Sequence, residues 1–505
     1  NRPDGGRVTY PLMPSLSAVS EDPDLAAVGR MSSALDVANR EFDRVDRYYT
    51  GDQPLAFMSP EVTAQVGDRL SPLVINWPET IVDSVARRVN PEGFRLGQGA
   101  TADDELWRIF TANDLDEESP LGIVDMLVHG ITYLSVWGNE DDPLTPRITF
   151  ESAHQVTVEY EPGGRQVRSA LKRWRDGSTT YATLYTRDRV TRYAAHASAF
   201  TAPLKYEVDQ ILDNPLRAVP IVPMVNKGRL LNRSGRSELA SIAPIADGIN
   251  KLATDMLVTA EFYTTPRRYA TGMQLPSQGA DRERLQAEAA AYWEQAQKSK
   301  TWLAGKDVEF GQFPEATLDG FVAGINLLTA CLAAIGGLPP DDLGLNTTNP
   351  ESAEARRAAE TVLILRAKEK QRACGGSLAR AMRLAVAARD GLALANVPQE
   401  FSRMQIAWRE PATPAIAQAM DAAVKGVDAG ILDIEAAQES VGMSPIERAA
   451  VRARAEDAAA RGATANVRAR LVLADELVST RGLTQNAALV AVGLLQATGL
   501  NANGA

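Results

Sequence analysis

Two adjacent aspartates, Asp341 and Asp342, are the residues whose type and spacing first suggest chemistry. A pair of carboxylates can share a proton in acid–base catalysis or bind a divalent cation. These two lie in a loop rich in proline and glycine, between Gly336 and Pro350, and no third carboxylate is close by in that loop. Adjacent residues of such a loop seldom converge on one ion. We therefore interpret the pair as a solvated acidic loop rather than as a catalytic or metal site.

Histidine, the side chain most often used for proton transfer near neutral pH, occurs three times in 505 residues. His129, His154 and His196 form no H-E-x-x-H motif and no pair at i and i+4. His129 is expected to end a helix, and the other two are expected in loops. The pattern does not favour a metal ligand or a general base at any of them.

Motifs for nucleotide binding and acyl transfer are also missing from the sequence. It has no P-loop, no G-x-G-x-x-G after a predicted strand and no G-x-S-x-G. Cys331 and Cys374 form no C-x-x-C motif, and we expect buried thiols on two helices that pack together. The sequence therefore predicts no catalytic residue, no cofactor and no bound metal.

The charge balance limits how the chain can contact nucleic acid. Lysine and arginine number 53 and acidic residues 64, which gives a net charge of −11. A general electrostatic binder of nucleic acid would be basic, so any DNA contact is expected to be local or weak. The basic residues that stand out are typical either of partner contacts or of ordinary solubilising charge. They are Arg229, Arg233 and Arg236; Arg267 and Arg268; and Lys298 and Lys300.

Two strongly predicted helices position the acidic pair. Apolar residues recur with helical spacing from Leu318 to Ile335. Gly337 can supply a left-handed C-cap, and the two prolines that follow cannot continue the helix. Asn349 is typical of an N-cap and Pro350 of a first helical position, so a long helix is expected over 352–390.

The remaining sequence predicts an α+β fold in which helices dominate. Residues 1–30 are rich in Pro, Gly, Asp and Ser and are expected to form an irregular arm. Helices follow from Ser32 to His129, and strands between Ile131 and Ala194 form an antiparallel meander. Val219–Val225 contains two prolines and is expected at a sheet edge. A long helix over 237–265, a compact insertion and further helices complete the chain.

Short motifs occur in a consistent order over most of residues 40–435. The most specific block comprises Gly337–Pro340, Leu343–Gly344 and Asn349–Ala355. Weaker pieces extend it: Tyr48–Asp52, Asn76–Trp77, Ile81–Ala86, Gly93–Arg95, Trp107, Asn113, His129–Tyr133, Gly235–Glu238, Asp247, Asn250, Pro266–Arg267, Trp408, Pro411, Thr413, Pro414 and Ala429–Ile431. In order and spacing they resemble the portal (head-to-tail connector) proteins of tailed double-stranded DNA bacteriophages, of siphophage type.

The resemblance implies a ring, usually dodecameric, around a channel at one capsid vertex through which DNA is packaged and ejected. It also implies a division of the chain into regions. These are a wing (31–236), a stem helix (237–265), a clip (266–316), a second stem helix (317–336), a tunnel loop (337–350), a long helix returning to the wing (351–430), and a crown with C-terminal helices (431–505).

The resemblance further implies which residues meet partners. The tunnel loop would line the DNA channel with Leu338, Pro339, Pro340, Asp341, Asp342, Leu343, Asn346, Thr347, Thr348 and Asn349. The clip would contact the terminase large subunit and the head–tail adaptor through Arg267, Arg268, Tyr269, Trp293, Lys298, Lys300 and Trp302. Major capsid and scaffolding proteins are further expected partners. The protein would lie in the virion at the portal vertex, and in the host cytoplasm during assembly, without enzymatic activity of its own.

Two other classes of protein remain open at this point. One is another oligomeric or membrane-attached phage assembly protein without a DNA channel, since Leu318–Leu338 approaches the length of a membrane span. Asp319 and Asn326 interrupt the segment and no basic or aromatic anchors flank it, so a helix buried in a bundle or subunit interface is favoured and no membrane is expected. The other alternative is an enzyme with an unrecognised site.

Overall fold

The computed structural model describes residues 22–54, 58–60, 73–97, 103–196, 205–230, 232–263, 268–271, 309–312, 317–345, 353–412 and 416–441, with positions 287 and 290 and short pieces of 443–489. Helices dominate the described residues, as expected for a helix-rich α+β fold. The helices are α1 (Pro23–Thr50), α2 (Trp77–Ala86), α3 (Asp104–Thr111), α4 (Leu115–His129), α5 (Ala243–Tyr263), α6 (Asp319–Gly336), α7 (Ala353–Arg389), α8 (Ile416–Asp428) and α9 (Ile434–Ser440). The strands are β1 (Pro91–Arg95), β2 (Ile131–Trp137), β3 (Arg147–Glu151), β4 (Val156–Tyr160), β5 (Val167–Asp176), β6 (Thr179–Tyr185), β7 (Arg189–His196), β8 (Glu207–Asp213), β9 (Ile221–Val225), β10 (Arg268–Thr271), β11 (Glu309–Gln312) and β12 (Gln405–Trp408).

Helix α1 begins earlier than the sequence analysis expected. The end of the predicted irregular arm, from Pro23 onward, is helical, so that part of the prediction is wrong. The Asp22 carboxylate accepts a hydrogen bond from the Asp24 amide as an N-cap, and Pro23 suits the first helical position. Val28 and Met31 are buried against the sheet formed by β5, β6 and β7. Tertiary burial therefore extends a helix whose local composition favours irregular structure.

The predicted meander divides into two sheets. Strands β4 to β8 form a five-stranded antiparallel sheet in sequence order, while a separate sheet has the order β3-β2-β9. Strand β9 contains Pro223 and, among the described strands, pairs only with β2, so its predicted edge position is confirmed. Strand β8 was not predicted, because all seven of its residues are exposed and carry no buried-face alternation. His196, expected in a loop, is the last residue of β7.

Helix α7 lies at the centre of the main core. Its residues Leu363, Ala367 and Cys374 are fully buried, and the helix packs against β2 and β9. It remains helical through the adjacent glycines Gly375 and Gly376, and Gly375 faces Trp408 of β12. β12 in turn pairs with β1, which is more than 300 positions earlier in the chain. Residues far apart in the sequence therefore pack together around α7 to complete the main core.

The two cysteines lie in different environments. Cys374 is buried as expected, its Sγ lies 3.7 Å from Met126 Sδ, and burial raises its pKa to about 12. Cys331 is exposed on α6, so the prediction of a buried thiol is wrong there. The main helical partner of α6 is α5 rather than the cysteine-bearing α7.

Candidate functional site

Helices α5 and α6 form an antiparallel pair, hereafter the α5–α6 hairpin. Contacts at Gly248 with Leu328 and at Gly324 with Leu252 fix its register. A Cβ built on either glycine would lie 3.2 Å from the facing leucine Cδ1. Each glycine thus leaves room for a leucine of the other helix, and the two axes approach closely. Pro244 lies in the first turn of α5, after a separate 3₁₀ turn at Leu239–Ser241.

Replacing Gly324 with leucine should force the α5–α6 hairpin apart. We expect a loss of roughly 1–3 kcal/mol in the free energy of unfolding, because overpacking displaces Leu252. Gly320 lies one turn earlier on the same helix, and a Cβ there meets no atom within 4 Å. Gly320→Leu is therefore the matched control, and urea unfolding of both variants measures the difference. Equal stability of the two variants would show that the close approach does not matter.

One face of α6 is apolar and uncovered. Leu327 and Ile335 are 66% and 48% exposed, and Cys331, exposed as well, lies between them at four-residue spacing. Val322, on another side of the helix, is 46% exposed. Among the described residues, α6 is the helix that is long and apolar enough to cross a membrane. Its 18 residues have a mean hydropathy of 1.6, and 22% of them are buried. A contiguous apolar face of this kind marks an interaction surface.

The acidic loop, residues 337–345, follows α6 directly. Gly337 has φ +68° and caps α6, with its amide donating to the Ala333 carbonyl. Pro340–Leu343 forms a 3₁₀ turn that ends at Gly344, where φ is +78°. Leu338 and Leu343 are buried in the main core. The first half of the loop is therefore an ordered turn held by two leucine side chains.

The described residues of the predicted channel-lining set fall into a buried group and an exposed group. Leu338, Pro339 and Leu343 are buried within the subunit, which makes them anchors of the loop. Pro340, Asp341 and Asp342 are exposed at its tip. The other predicted loop residues, Asn346, Thr347, Thr348 and Asn349, lie outside the described residues, as do the N-cap and first position predicted for the long helix.

The insertion between the two hairpin helices is described only at its base. Strand β10 pairs antiparallel with β11, with Arg268 opposite Gln312 and Thr271 opposite Glu309. The described ends of the insertion are therefore joined as a two-stranded antiparallel sheet. Arg268 and Tyr269 belong to β10, whereas the other predicted partner-binding residues lie outside the described residues. Those residues are Arg267, Trp293, Lys298, Lys300 and Trp302.

Comparison of the sequence with known proteins identifies the family of this chain. The family model described as phage portal protein, SPP1 Gp6-like, matches residues 36–458. The portal protein of Mycobacterium phage D29 is 33% identical over 456 residues, covering 87% of this chain and 90% of that protein. The portal protein of Mycobacterium phage L5 is 32% identical over 471 residues, covering 90% and 92%. The chain belongs to the phage portal protein family.

Portal proteins are structural components of the virion at the capsid vertex and assemble into rings. A chain from a structure of the neck of an empty gene transfer agent particle aligns with 80% of this portal protein and 94% of its own length. The identity is 12% and the TM-score 0.47.

A buried ion cluster supports the base of the acidic loop in this portal protein. Glu238 is 3% exposed and pairs with three cations. Its carboxylate accepts from Lys227 at 2.6 Å, Arg366 at 2.8 Å and Lys370 at 2.8 Å. Burial alone would raise the pKa of Glu238, but Lys370, Lys227 and Arg366 outweigh it and hold the pKa at about 2. Glu238 is therefore ionised throughout the physiological range.

The same cluster joins three parts of the chain. Asn226, just after β9, accepts from Lys370 Nζ at 2.6 Å and donates to Glu238 Oε1 at 3.2 Å. Arg366 lies against the end of α6, because a Cβ on Gly337 would meet its Cδ at 2.8 Å. The Glu238 cluster thus links the segment before α5, the long helix α7 and the start of the acidic loop. No sequence pattern predicted this cluster, although Glu238 belongs to the portal-like motif Gly235–Glu238.

Some of the arginines that stood out in the sequence gather around one cleft. Arg229 and Arg233 line a cavity of about 1090 Å³, together with Arg165 and Arg380. Arg233 also stacks over the Tyr160 ring at 5.7 Å. Arg236 lies near the first turn of the α5 region, where it donates to Ser241 Oγ. The cleft gives an acidic chain a local cationic surface.

Proposed function

We propose that this portal protein forms a ring, of twelve subunits, around a channel that conducts double-stranded DNA during packaging and ejection. It would do so as a structural conduit, with ATP hydrolysis supplied by a separate motor protein. The observation that carries the proposal is the uncovered apolar face of α6 directly beside the exposed acidic loop. In a ring, neighbouring subunits would cover the apolar face of α6, and the acidic loop would face the central channel.

A neighbouring subunit suits the α6 face better than a lipid bilayer does. In the register of the α5–α6 hairpin, Lys251 and Asp255 of α5 lie at the level of the first turns of α6, where they form a partly exposed ion pair. A membrane that covered α6 would also surround this pair, and ionised side chains in hydrocarbon cost several kcal/mol. A protein interface can cover α6 and leave the pair in water. The geometry therefore favours the ring over membrane attachment.

The charge of the loop tip suits a channel through which DNA slides. Asp341 and Asp342 are exposed, and no described cation pairs with either of them. A cationic loop would release counterions from DNA and bind the phosphates, which would slow translocation. Carboxylates repel the duplex and keep it from adhering to the wall. An acidic constriction is thus consistent with conduction rather than capture.

The remaining assignments follow from placing this chain in such a ring. The α5–α6 hairpin would be the stem, and residues 266–316 at its far end the clip that meets the terminase large subunit and later the head–tail adaptor. The helices and two sheets of 31–236 would form the wing, next to capsid and scaffolding proteins, and residues from 431 the crown. The ring would assemble in the host cytoplasm before it becomes part of the virion.

Replacing Leu327 with glutamate should abolish ring assembly while leaving the subunit folded. The side chain is 66% exposed in the single chain, so folding tolerates the change. A carboxylate at a subunit contact should cost roughly 3 kcal/mol or more per interface, because apolar burial is lost and a charge is desolvated. Mass photometry and negative-stain microscopy measure the ring fraction.

The matched control is Leu121→Glu, since Leu121 of α4 is 64% exposed and lies away from the hairpin. We expect normal rings from the control. Rings from Leu327→Glu at the wild-type fraction would contradict the proposal. Flotation of the wild-type protein with liposomes would instead support the membrane-attached alternative.

A further inference from the structure

Two of the three histidines meet at one carboxylate. Asp46 lies on α1, His129 is the last residue of α4, and His154 lies in the turn before β4. His129 Nε2 lies 2.8 Å from Asp46 Oδ1, and His154 Nε2 lies 3.1 Å from Asp46 Oδ2. The fold therefore gathers side chains separated by up to 108 positions, a convergence that the sequence pattern did not reveal.

The donor set and its spacing match a divalent transition-metal site. One ligand atom from each residue can be chosen so that all three lie within 4.8 Å of one another. Imidazole nitrogen and carboxylate oxygen are common ligands of Zn²⁺ at about 2.0–2.2 Å, which places neighbouring ligands of a tetrahedral ion about 3.4 Å apart. The two contacts with Asp46, at 2.8 Å and 3.1 Å, lie close to that spacing, and the two imidazole ligand atoms lie within 4.8 Å of each other. A bound ion would replace the two hydrogen bonds with three metal bonds.

The surroundings hold the rings in place. Phe42 packs edge-on against both imidazoles, with centroid distances of 5.3 Å to His129 and 5.6 Å to His154. Asn39 donates to the His154 carbonyl at 3.2 Å and ties the turn to α1. Such packing of the ligands' supporting groups is what a metal site requires for its geometry.

The local charge also favours a cation. His154 Nδ1 lies 3.7 Å from Asp43 Oδ1, so the ring has a carboxylate on the side away from Asp46, as metal-bound histidines commonly do. Asp46 and Asp43 thus place two carboxylates beside the imidazoles, and a divalent ion would offset their negative charge.

We propose that Asp46, His129 and His154 bind one divalent transition-metal ion, Zn²⁺ by their chemistry, which ties α1 to α4 and to the turn before β4. The Asp46 side chain is 42% exposed and that of His154 26%, so water can reach the fourth position. The ion has a structural role, because it joins the first long helix to the main core. None of the three residues belongs to the α5–α6 hairpin or to the acidic loop.

The test uses full-length, tag-free protein treated with a chelator and then titrated with Co²⁺, whose visible absorption reports on coordination. We expect one Co²⁺ per chain with tetrahedral bands, displaced by Zn²⁺, and a Zn²⁺-dependent rise in Tm. His154→Ala and Asp46→Asn should each weaken uptake at least tenfold and abolish the rise in Tm. His196→Ala is the control, because His196 contacts Thr179 at the end of β7 and should bind metal as the wild type does.

The proposal can be tested even if one of the variants fails to fold. Circular dichroism checks each variant, and chelation of the wild type alone should reverse the Tm rise. Uptake by His154→Ala or Asp46→Asn equal to that of the wild type would overturn the proposal. So would a wild type that takes up no stoichiometric Co²⁺ or Zn²⁺ at micromolar concentration.

Discussion

Replacing Glu238 with glutamine is expected to lower the free energy of unfolding by about 3–5 kcal/mol, the cost of breaking a buried ion pair by removing one partner. Lys370 is 2% exposed, and its ammonium would face a neutral amide instead of a carboxylate. Lys227 and Arg366 would lose the same partner. The charge left without compensation, rather than the lost hydrogen bonds, accounts for most of the effect.

The pH dependence of stability gives a second measurement of the same cluster. The fall of the Glu238 pKa from 4.5 to about 2 corresponds to roughly 3 kcal/mol of stability. Because the folded-state pKa is the lower one, this contribution is complete above about pH 5 and is lost as the pH falls from 4.5 towards 2. The difference in stability between wild type and Glu238→Gln should therefore shrink over that interval.

Urea unfolding of one oligomeric fraction, repeated between pH 7 and pH 3, measures both effects. Glu369→Gln is the matched control, since Glu369 is an exposed carboxylate next to Lys370 on α7. It should change stability by less than about 0.5 kcal/mol. If Glu238→Gln and Glu369→Gln behave alike at pH 7, the cluster does not hold the loop base as described.

The elements that could be predicted from the sequence are those with a local signal. β-branched and aromatic residues identified most strands of the two sheets, and Gly337 followed by prolines identified the end of α6. Strand β8 was not predicted because its residues are all exposed. The start of α1 was not predicted as helix because its burial depends on a sheet formed by residues 167–196. Local pattern cannot report on a partner that is more than 100 residues away.

The Glu238 cluster and the cluster of Asp46, His129 and His154 also depend on contacts between residues far apart in the sequence. Glu238 lies 11 positions from Lys227 but 132 from Lys370, and no sequence rule pairs them. His129 and His154 have no motif spacing, so the sequence argued against a site that the fold then assembles around Asp46. The exposed pair Asp341 and Asp342 was predicted because glycine and proline residues mark the loop that contains it. Sites built from long-range contacts require the fold.

Replacing both Asp341 and Asp342 with lysine should leave ring assembly intact and reduce the rate of DNA packaging at least several-fold. Both side chains are exposed at the tip of the 3₁₀ turn, and the turn itself is held by Leu338 and Leu343, which the change does not touch. In the proposed ring, every subunit would present two cations to the duplex. Phosphate contacts of this kind convert a sliding surface into a binding one.

Salt dependence distinguishes that mechanism from structural damage. Electrostatic retention weakens as salt rises, so raising ionic strength should restore part of the packaging rate of the variant. Damage to the loop would not be reversed in this way. The control is Glu207→Lys with Asp213→Lys, which makes the same charge change on the exposed strand β8. It should package DNA as the wild type does.

A third variant separates charge reversal from loss of the carboxylates. Asp341→Asn with Asp342→Asn removes the repulsion without adding a cation, so its packaging rate should fall between those of the wild type and the lysine variant. Normal packaging by the lysine variant at low salt would show that the acidity of the loop tip has no part in conducting DNA. The ordered turn and its leucine anchors would then be the feature that matters at this position.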